Sequence, residues 1–267
     1  MKLFCCSDLH SFYTATKEAL DTAGFDPNNE EHWLIVCGDV FDRGYESEEM
    51  LHYLMSLERK ILVKGNHDIL LEDCCMREFP YNYDFSNGTA RTINDIGGAG
   101  EGHPFDVCCQ RTWDKTAAYR ASLVNYFETE NYIFVHSWIP TINIDTIDTL
   151  SKHYEYKEDW REATKAEWEE AMWGNPFFKA QDGMNKTGKT IIFGHWHCSL
   201  GHLMSSDGEL SEFGENACWD VYKNDEWKII GLDKCTAHTG KVNVLVVEDN
   251  FLPEEPKNKI TNFKAES

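Results

Sequence analysis

The stretch that decides the fold reads Trp33-Leu34-Ile35-Val36-Cys37-Gly38-Asp39-Val40-Phe41-Asp42-Arg43-Gly44. Its first five residues are apolar and include β-branched side chains, which is typical of a short strand buried on both faces of a sheet. Polar residues follow at once, and they include two aspartates and an arginine. In open α/β sheets the ends of strands with this polarity gather at one edge, where ligands bind. The stretch therefore predicts a buried strand whose carboxyl end carries functional side chains.

Other parts of the chain repeat this layout, with helical patterns between the apolar runs. The predicted strands are residues 3–6, 33–37, 61–63, 132–135, 190–193, 229–230 and 242–247. The predicted helices are residues 12–23, 48–58, 113–128 and 159–172. Strands that alternate with helices predict an α/β fold. Because strand patterns without helices follow Cys218, we expect mixed β-sheets, packed as a sandwich and flanked by helices, in one domain over residues 1–267.

Two segments are predicted to lie at the surface. Gly97-Gly98-Ala99-Gly100 lacks the spacing and the strand–helix context of a dinucleotide-binding loop, so we expect a flexible surface loop there. The tail over residues 253–267 contains two prolines and many charges, which also favours the surface.

The overall charge limits the classes of partner. The 267 residues include 46 acidic and 25 basic side chains, which gives a formal net charge of −21. Such acidity disfavours a long nucleic acid or an anionic membrane as the main partner. No apolar run approaches the roughly 20 residues that span a bilayer, and Asp8 comes too early for a secretory signal. We therefore expect a cytoplasmic protein, whose oligomeric state the sequence leaves open.

The ten cysteines include the adjacent pairs Cys5-Cys6, Cys74-Cys75 and Cys108-Cys109. Neighbouring cysteines bridge only through a strained ring, and the chain has no Cys-x-x-Cys pair that would anchor a zinc ribbon. We expect most of the thiols to be small buried apolar groups, and we expect the same of Cys198.

Five polar clusters follow directly after five of the predicted strands. They are Ser7-Asp8-Leu9-His10, the segment from Gly38 to Gly44, Gly65-Asn66-His67-Asp68, His136-Ser137-Trp138, and Gly194-His195-Trp196-His197. Gathered at one sheet edge, they would pool carboxylates, imidazoles, an amide and a guanidinium. The oxygen and nitrogen donors among these are hard or borderline metal ligands. The pairs Asp8/His10 and His195/His197 are short patterns that also occur by chance, so each alone is a weak signal. GDVFDRG and Gly-Asn-His-Asp rarely occur by chance and are stronger signals.

This ordered set resembles the calcineurin-like metallophosphoesterases. GDVFDRG, with its arginine, is similar to the phosphoprotein phosphatase branch, which includes bacterial and phage Ser/Thr phosphatases and symmetrical dinucleoside tetraphosphatases. Further similarity lies in residues 87–92 (NGTART), 135–140 (VHSWIP) and 172–176 (MWGNP). The resemblance covers residues 3–197. It implies that family's four-layer architecture and a metal-dependent phosphatase that hydrolyses phosphate esters by attack of a metal-bridging hydroxide.

The resemblance also implies which residues hold two divalent or trivalent metal ions. The first ion would be held by Asp8 and His10, with His197 as a further ligand. The second would be held by Asn66, His136 and His195, and Asp39 would bridge both. These oxygen and imidazole donors suit Mn, Fe or Zn.

The resemblance further implies that His67 protonates the leaving alkoxide and that Asp42 orients its ring. Arg43 binds two phosphoryl oxygens, and Arg43, Asn66 and His67 together contact the substrate. Relatives often supply a second phosphate-binding arginine near the segment that corresponds to residues 173–175. This chain has none there, so Arg91 or Arg111 would have to replace it.

Several functions stay open. We expect a phosphatase that acts on phosphorylated Ser or Thr of a protein, or on a small phosphate ester. Symmetrical hydrolysis of diadenosine tetraphosphate would need base-stacking side chains, for which Trp138, Trp196 and residues 82–110 are candidates. A non-catalytic, metal-stabilised scaffold would need none of His67, Asp42 and Arg43. The net charge disfavours a nuclease.

Asp68 is ambiguous in the sequence. Its position favours a carboxylate that caps the helix that follows it rather than a group of the site.

Overall fold

The computed structural model describes residues 1–144, 153–205, 217–220 and 228–250. Its strands are β1 (Lys2–Cys6), β2 (His32–Cys37), β3 (Lys60–Val63), β4 (Leu123–Val124), β5 (Phe127–Glu128), β6 (Tyr132–Phe134), β7 (Thr141–Ile144), β8 (His153–Tyr156), β9 (Thr190–Phe193), β10 (Trp219–Asp220), β11 (Ile229–Gly231) and β12 (Leu245–Glu248). Its α-helices are α1 (Tyr13–Ala23), α2 (Ser47–Ser56), α3 (Asn66–Arg77), α4 (Asn82–Asn87), α5 (Thr89–Gly97), α6 (Phe105–Lys115), α7 (Ala117–Ser122), α8 (Lys165–Met172), α9 (Pro176–Gln181), α10 (Cys198–Ser205) and α11 (Thr236–Thr239). Short 3₁₀ turns cover Ala99–Glu101 and Trp160–Glu162.

The first sheet has the strand order β12-β1-β2-β3-β4. Strands β1 to β4 run parallel, and β12 is antiparallel to β1. In this register Cys6 lies opposite Val36, and Cys37 lies opposite Val63. The loops that follow β1, β2 and β3 therefore leave the sheet side by side.

The second sheet has the order β10-β11-β9-β6-β5. Its central strands β6, β9 and β11 are parallel, and β5 and β10 pair antiparallel at the two edges. Phe134 lies opposite Ile192, and Gly231 lies opposite Phe193. A separate hairpin joins β7 and β8.

Three hydrophobic clusters show how the layers pack. One contains side chains from both large sheets, such as Ile35 and Ile192, and therefore lies between them. A second joins the other face of the first sheet to helices α1, α2, α3, α5 and α6. The third joins the other face of the second sheet to α8, α9 and α10 through residues such as Trp168 and Phe177. The result is a helix–sheet–sheet–helix sandwich, which confirms the predicted α/β fold with mixed sheets.

The predicted helix over residues 113–128 is helical only as far as Ser122, and its last part is wrong. Helix α6 ends at Lys115, α7 ends at Ser122, and the rest forms β4 and β5. Leu123 pairs with Leu62 of β3, while Phe127 pairs with Phe134 of β6. Backbone pairing at the edges of two sheets overrides the local helical pattern here.

Three other boundaries differ from the sequence prediction. Gly97 is the buried last residue of α5, packed against Cys108, and a 3₁₀ turn follows it, so residues 97–100 are not simply a surface loop. Thr164 caps α8 and separates it from the preceding 3₁₀ turn. The last strand is Leu245–Glu248 rather than residues 242–247. The tail at residues 253–267 lies outside the described residues.

The ten cysteines are free thiols, and eight of them are buried, as expected. Cys198 is one of these, and its thiol contacts the main-chain oxygen of Gly231 at 3.2 Å. Within the described ranges, no helix combines the length and apolarity that a bilayer crossing requires.

Candidate metal centre and active site

The strand-end loops bring two groups of possible metal ligands together. One group is His10, Asp39 and His67, and the other is Asp39, His136 and His195. Within each group the potential ligand atoms lie within 4.8 Å of one another. Asp39 belongs to both groups, which is the arrangement needed for a carboxylate that bridges two cations.

Asp8 lies next to these groups without being a member of either. Its Oδ2 accepts a hydrogen bond from the backbone N–H of His195 at 2.9 Å, and its Oδ1 is 4.0 Å from His10 Nε2. His197 is half-buried, with its Nδ1 2.6 Å from Ser199 Oγ, and it also lies outside both groups. Among the described residues, four of the seven predicted ligands, His10, Asp39, His136 and His195, belong to the two groups. Asp8 contacts the groups from outside, Asn66 contacts His136, and His197 is not shown in contact with either group.

The backbone at the site adopts an unusual conformation. Six non-glycine residues of the site have positive φ angles, from 49° to 76°: Asp8, His10, Asp39, Asp42, Arg43 and His195. This left-handed region is uncommon for residues with a Cβ, and such strain clusters at functional sites. The tight turns at the strand ends thereby direct successive side chains toward one point.

Backbone carbonyls orient two of the imidazoles. His10 Nδ1 lies 3.0 Å from the oxygen of Phe41, and His136 Nδ1 lies 2.8 Å from the oxygen of Cys37. These contacts favour a proton on Nδ1 and leave Nε2 with its lone pair toward the centre, as in metal-binding histidines.

The start of α3 positions the amide ligand. Asn66 is the first residue of the helix, and its Oδ1 lies 2.8 Å from His136 Nε2. Asp68 accepts a hydrogen bond from Gly65 N at 2.7 Å and another from the Tyr119 hydroxyl, also at 2.7 Å. The expected capping role of Asp68 is therefore confirmed. Burial raises the pKa of this carboxyl to about 7.

The protonation states of the buried groups fit a metal centre. Burial lowers the pKa of His10 and of His136, and it lowers that of His195 to about 3, so these rings are neutral at pH 7. Burial also acts to raise the pKa of Asp39, but the neighbouring imidazoles, led by His136, outweigh it and keep this pKa low. Metal binding requires neutral imidazoles and ionised carboxylates, which the three rings and Asp39 supply. Burial raises the pKa of Asp8, so a cation would be needed to keep that carboxylate ionised.

The predicted proton donor, His67, is itself a member of the first group, and its Nε2 lies 3.9 Å from Asp39 Oδ2. His67 Nδ1 lies 2.7 Å from Asp42 Oδ2, and His67 Nε2 lies 3.2 Å from Arg43 Nη2. Burial lowers the pKa of His67, but the charge of Asp39 and the hydrogen bond to Asp42 raise it more, so the net shift is upward. A raised pKa keeps a proton available for transfer near neutral pH.

Asp42 is itself held by the segment at residues 87–92. Thr89 Oγ1 donates to Asp42 Oδ2 at 2.6 Å, and Thr92 Oγ1 donates to Asp42 Oδ1 at 2.9 Å. The Asp42 amide donates in return to Thr92 Oγ1 at 3.0 Å. These bonds give this short motif a physical role, which is to fix the carboxylate that holds His67.

The two candidate arginines differ in position. Arg91 Nη1 donates to the main-chain oxygen of Arg43 at 2.7 Å, and its guanidinium lies 4.1 Å from the centre of the Tyr45 ring. Arg111 instead pairs with Glu101 at 3.2 Å. Of the two, only Arg91 is shown in contact with a predicted catalytic residue.

The aromatic side chains near the site differ from those expected. Trp138 is buried in the core of the second sheet, so it cannot face a substrate. Trp173 and Trp196 are 52% and 37% exposed, and each has its ring centre 6.4 Å from that of His195. Trp173 lies in the MWGNP segment, whose similarity to the phosphatase branch was the only sequence signal for it.

Sequence reasoning also missed Asp233, a buried carboxylate after β11. Its main-chain oxygen accepts from Cys198 N at 2.7 Å, which places it beside the loop that carries His195 and His197. The surrounding Leu232-Asp233-Lys234 matches no motif, and a strand of three residues gives little periodicity to read.

A shared carboxylate between two ligand groups, with a proton donor and a guanidinium at its side, is typical of metal-dependent hydrolases that use a dinuclear centre. A model of the calcineurin-like phosphoesterase family matches residues 1–239, so the chain belongs to that family. This confirms the family and, with the two ligand groups that share Asp39, the dinuclear centre that the motifs led us to expect.

Curated relatives match a shorter part of the chain. The symmetrical bis(5'-nucleosyl)-tetraphosphatase of Xylella fastidiosa (strain 9a5c) is 38% identical over 72 residues, which are 27% of this chain and 24% of the relative. The enzyme of the same name from Pseudomonas fluorescens (strain SBW25) is 42% identical over 72 residues, 27% and 25% of the two chains. The matches thus span about a quarter of these relatives.

A solved structure with a similar fold is the cold-active protein-tyrosine phosphatase of a psychrophilic Shewanella species. It is 16% identical, with a TM-score of 0.51 over 93% of this chain and 76% of that chain. At this identity the likeness concerns the fold alone.

Proposed function

We propose that the chain hydrolyses phosphoric esters, with His67 as the proton donor and Arg43 as the phosphate-binding residue. The observation that carries the proposal is the contact series from Asp42 through His67 to Arg43, next to the two ligand groups that share Asp39. The proposal treats residues 1–267 as one phosphoesterase domain, and the family match over residues 1–239 supports this.

The metal ligands are assigned as the sequence predicted. Asp8 and His10, with His197, would hold one cation; Asn66, His136 and His195 would hold the other; and Asp39 would bridge them. When bound, two cations supply a water that is ionised near neutral pH and a Lewis acid for the phosphoryl oxygens. Manganese, like iron and zinc, suits these donors, and a cytoplasmic place of action belongs to the same proposal.

The protein side chains supply orientation and proton transfer. Arg43 Nη2 lies 3.2 Å from His67 Nε2, within hydrogen-bond distance. A phosphoryl group that accepts from the guanidinium would release this contact and leave Nε2 free to carry a proton. Arg43 presents a planar set of donors to two phosphoryl oxygens, and Asn66 and His67 complete the contacts. His67 then gives its Nε2 proton to the leaving oxygen, while Asp42 stabilises the ring through Nδ1.

As substrate we favour a symmetrical dinucleoside tetraphosphate. The curated relatives that match the chain carry that activity in their names. Exposed aromatic rings lie on two sides of the site, Trp173 and Trp196 beside His195, and Tyr45 against Arg91 beside Arg43. Such rings offer stacking surfaces for nucleobases.

A phosphorylated Ser or Thr of a protein is the second candidate. The serine alkoxide is a poor leaving group, and it needs a positioned proton donor more than a phosphoanhydride does. The well-ordered pair of His67 and Asp42 favours this substrate class.

A competition assay on Mn²⁺-loaded protein tests both candidates. We expect diadenosine tetraphosphate to be split into two molecules of ADP and to inhibit release of phosphate from a phosphopeptide. Trp173→Leu should weaken turnover of the dinucleotide and leave that of the phosphopeptide unchanged.

Phe79→Leu is the matched control for that variant. Phe79 is 64% exposed and lies just beyond the far end of α3, whose first turn is at the site. Equal effects of both variants on the dinucleotide would contradict the stacking role of Trp173. No hydrolysis of any phosphoric ester by the loaded protein would contradict the proposed function.

A further inference from the structure

The end of β11 adds a sixth strand end to the site. Strand β11 runs parallel to β9, with Gly231 opposite Phe193, and Leu232 N donates to the oxygen of Phe193 at 2.8 Å. Asp233 follows the end of β11 by two residues, just as His195 follows the end of β9 by two residues. The pairing register therefore places Asp233 alongside His195, on the edge that carries the metal ligands.

The side chain of Asp233 is enclosed there. It is 6% exposed, its main-chain oxygen accepts from Cys198 N at 2.7 Å, and its Oδ1 accepts from Cys235 N at 2.6 Å. One backbone N–H is a small compensation for a buried carboxylate, which requires a nearby positive charge or several donors.

Asp8 and Asp233 both contact the segment that follows β9. The Asp8 carboxylate accepts from His195 N at 2.9 Å, and the main-chain oxygen of Asp233 accepts from Cys198 N at 2.7 Å. Asp8, Asp39 and Asp233 are all buried. Three carboxylates thus share one buried region, and their mutual repulsion opposes keeping all three ionised without cations. Two divalent cations would bring about four positive charges, enough to offset three carboxylates.

We propose that Asp233 is a further carboxylate of the metal centre, which strengthens binding of the cation held by Asp8. The inference rests on the metal sites assigned under the proposed function, and it is independent of the substrate. Asp8 contacts His195 N, and the pairing of β11 with β9 places Asp233 alongside the same residue.

A purely structural role is the alternative, since the Oδ1 contact orders the turn that leads into α11. Asp233→Asn separates the two roles, because an amide oxygen can still accept from Cys235 N but the charge is lost. Mn²⁺ binding to metal-free protein, measured by calorimetry, is the first readout. The thermal midpoint of unfolding, with and without Mn²⁺, is the second.

We expect D233N to weaken one of two Mn²⁺ equivalents by about 10–100-fold, the usual effect of removing a carboxylate that supports a metal site. Without metal, D233N should be at least as stable as the wild type. Mn²⁺ should raise the thermal midpoint of D233N by less than it raises that of the wild type. If D233N does not fold, the pair Asp233→Glu and Asp233→Gln isolates the charge, because the two new side chains are equal in size. The Glu variant should then bind Mn²⁺ more tightly than the Gln variant.

Asp249→Asn is the matched control. Asp249 is also 6% exposed, but it accepts from Thr129 and Asn131 at the opposite edge, beside Met1. D249N should lower the midpoint and leave Mn²⁺ affinity unchanged.

Wild-type Mn²⁺ affinity in D233N would overturn the inference. So would a loss of affinity that occurs only together with a lower metal-free midpoint, or equal affinities of the Glu and Gln variants. Because these readouts do not involve turnover, weakened Mn²⁺ binding in a protein that hydrolyses no phosphoric ester would uphold the inference and reject the proposed function.

Discussion

At the scale of single residues, the reactivity of His67 depends on its partners rather than on its own position alone. Asp42 holds Nδ1, and Thr89 and Thr92 hold Asp42, so the ring is fixed through a chain of buried hydrogen bonds. A fixed donor reaches the leaving oxygen without a cost in side-chain entropy.

Replacing His67 by Asn should therefore slow phosphoester hydrolysis by roughly 10²–10⁴-fold, the usual loss for a positioned proton donor. The loss should shrink along a series of aryl phosphates with better leaving groups, since these need less protonation. Initial rates across the series, with metal content measured by elemental analysis, check this. His52→Asn, at an exposed position on α2, is the control and should change neither the hydrolysis rates nor the metal content. Equal losses for all leaving groups would mean that His67 is a structural residue.

At the scale of elements, the junction between β3 and α3 has no room for a larger residue. A Cβ on Gly65 would collide with the carboxylate of Asp39 and lie 2.5 Å from the Asp39 nitrogen, although the φ of −105° is acceptable for alanine. The constraint is steric, and it acts directly on the carboxylate that both ligand groups share.

Gly65→Ala should consequently displace Asp39 and reduce bound Mn²⁺ below two equivalents. It should also destabilise the fold by about 1–3 kcal/mol, as overpacking does. Elemental analysis and denaturant unfolding measure the two effects. Gly100→Ala is the control, because a Cβ there meets open space, and it should be neutral in both assays. Full metal content in G65A would show that the centre tolerates a shifted Asp39.

A second element contact ties β5 to the rest of the second sheet. Arg161 Nη2 donates to Glu128 Oε1 at 2.7 Å, and Lys189 Nζ lies 2.9 Å from the same oxygen. Burial raises the pKa of Glu128, but these two cations lower it more, so the folded pKa lies below the unfolded one. The stabilisation is therefore present above the unfolded pKa of about 4.3 and is lost as the pH falls through the folded pKa.

Glu128→Gln should lower the thermal midpoint at pH 7, and the difference from wild type should vanish in acid. Thermal unfolding between pH 3 and pH 7 shows this directly. Glu130→Gln, at an exposed neighbouring position, should leave the midpoint near that of wild type at every pH. A constant difference for E128Q across the range would contradict an ionic contribution.

The elements also show what the sequence can and cannot predict. The strands that lead into the polar clusters were predictable, because continuous apolar runs followed by polar residues report burial on both faces. β4 and β5 were not, since two-residue strands have no period and depend on partners far along the chain. Asp233 escaped notice for the same reason, because only the pairing of β11 with β9 places it at the centre.

At the scale of the whole molecule, charge sets the conditions for substrate binding. The net charge of −21 repels anions at long range, so attraction must be local. Arg43 Nη2 lies 3.2 Å from His67 Nε2, while the carboxylate of Asp39, 3.9 Å from the same nitrogen, adds negative charge to the site. Without cations the site is therefore a poor place for phosphate.

Metal loading should reverse this balance, because two divalent cations add about four positive charges to the site. We expect orthophosphate to bind the Mn²⁺-loaded protein and not the metal-free protein, and Arg43→Ala to weaken binding in the loaded form. Calorimetric titration of both forms measures this, with Arg111→Ala as the control, since Arg111 is paired with Glu101 and should not affect phosphate. Raising the salt concentration should change the loaded affinity little, because contacts inside a cleft are screened less than surface charges. Comparable affinity with and without metal would mean that protein cations alone bind the substrate, and the assignment of the centre as the phosphate site would then be wrong.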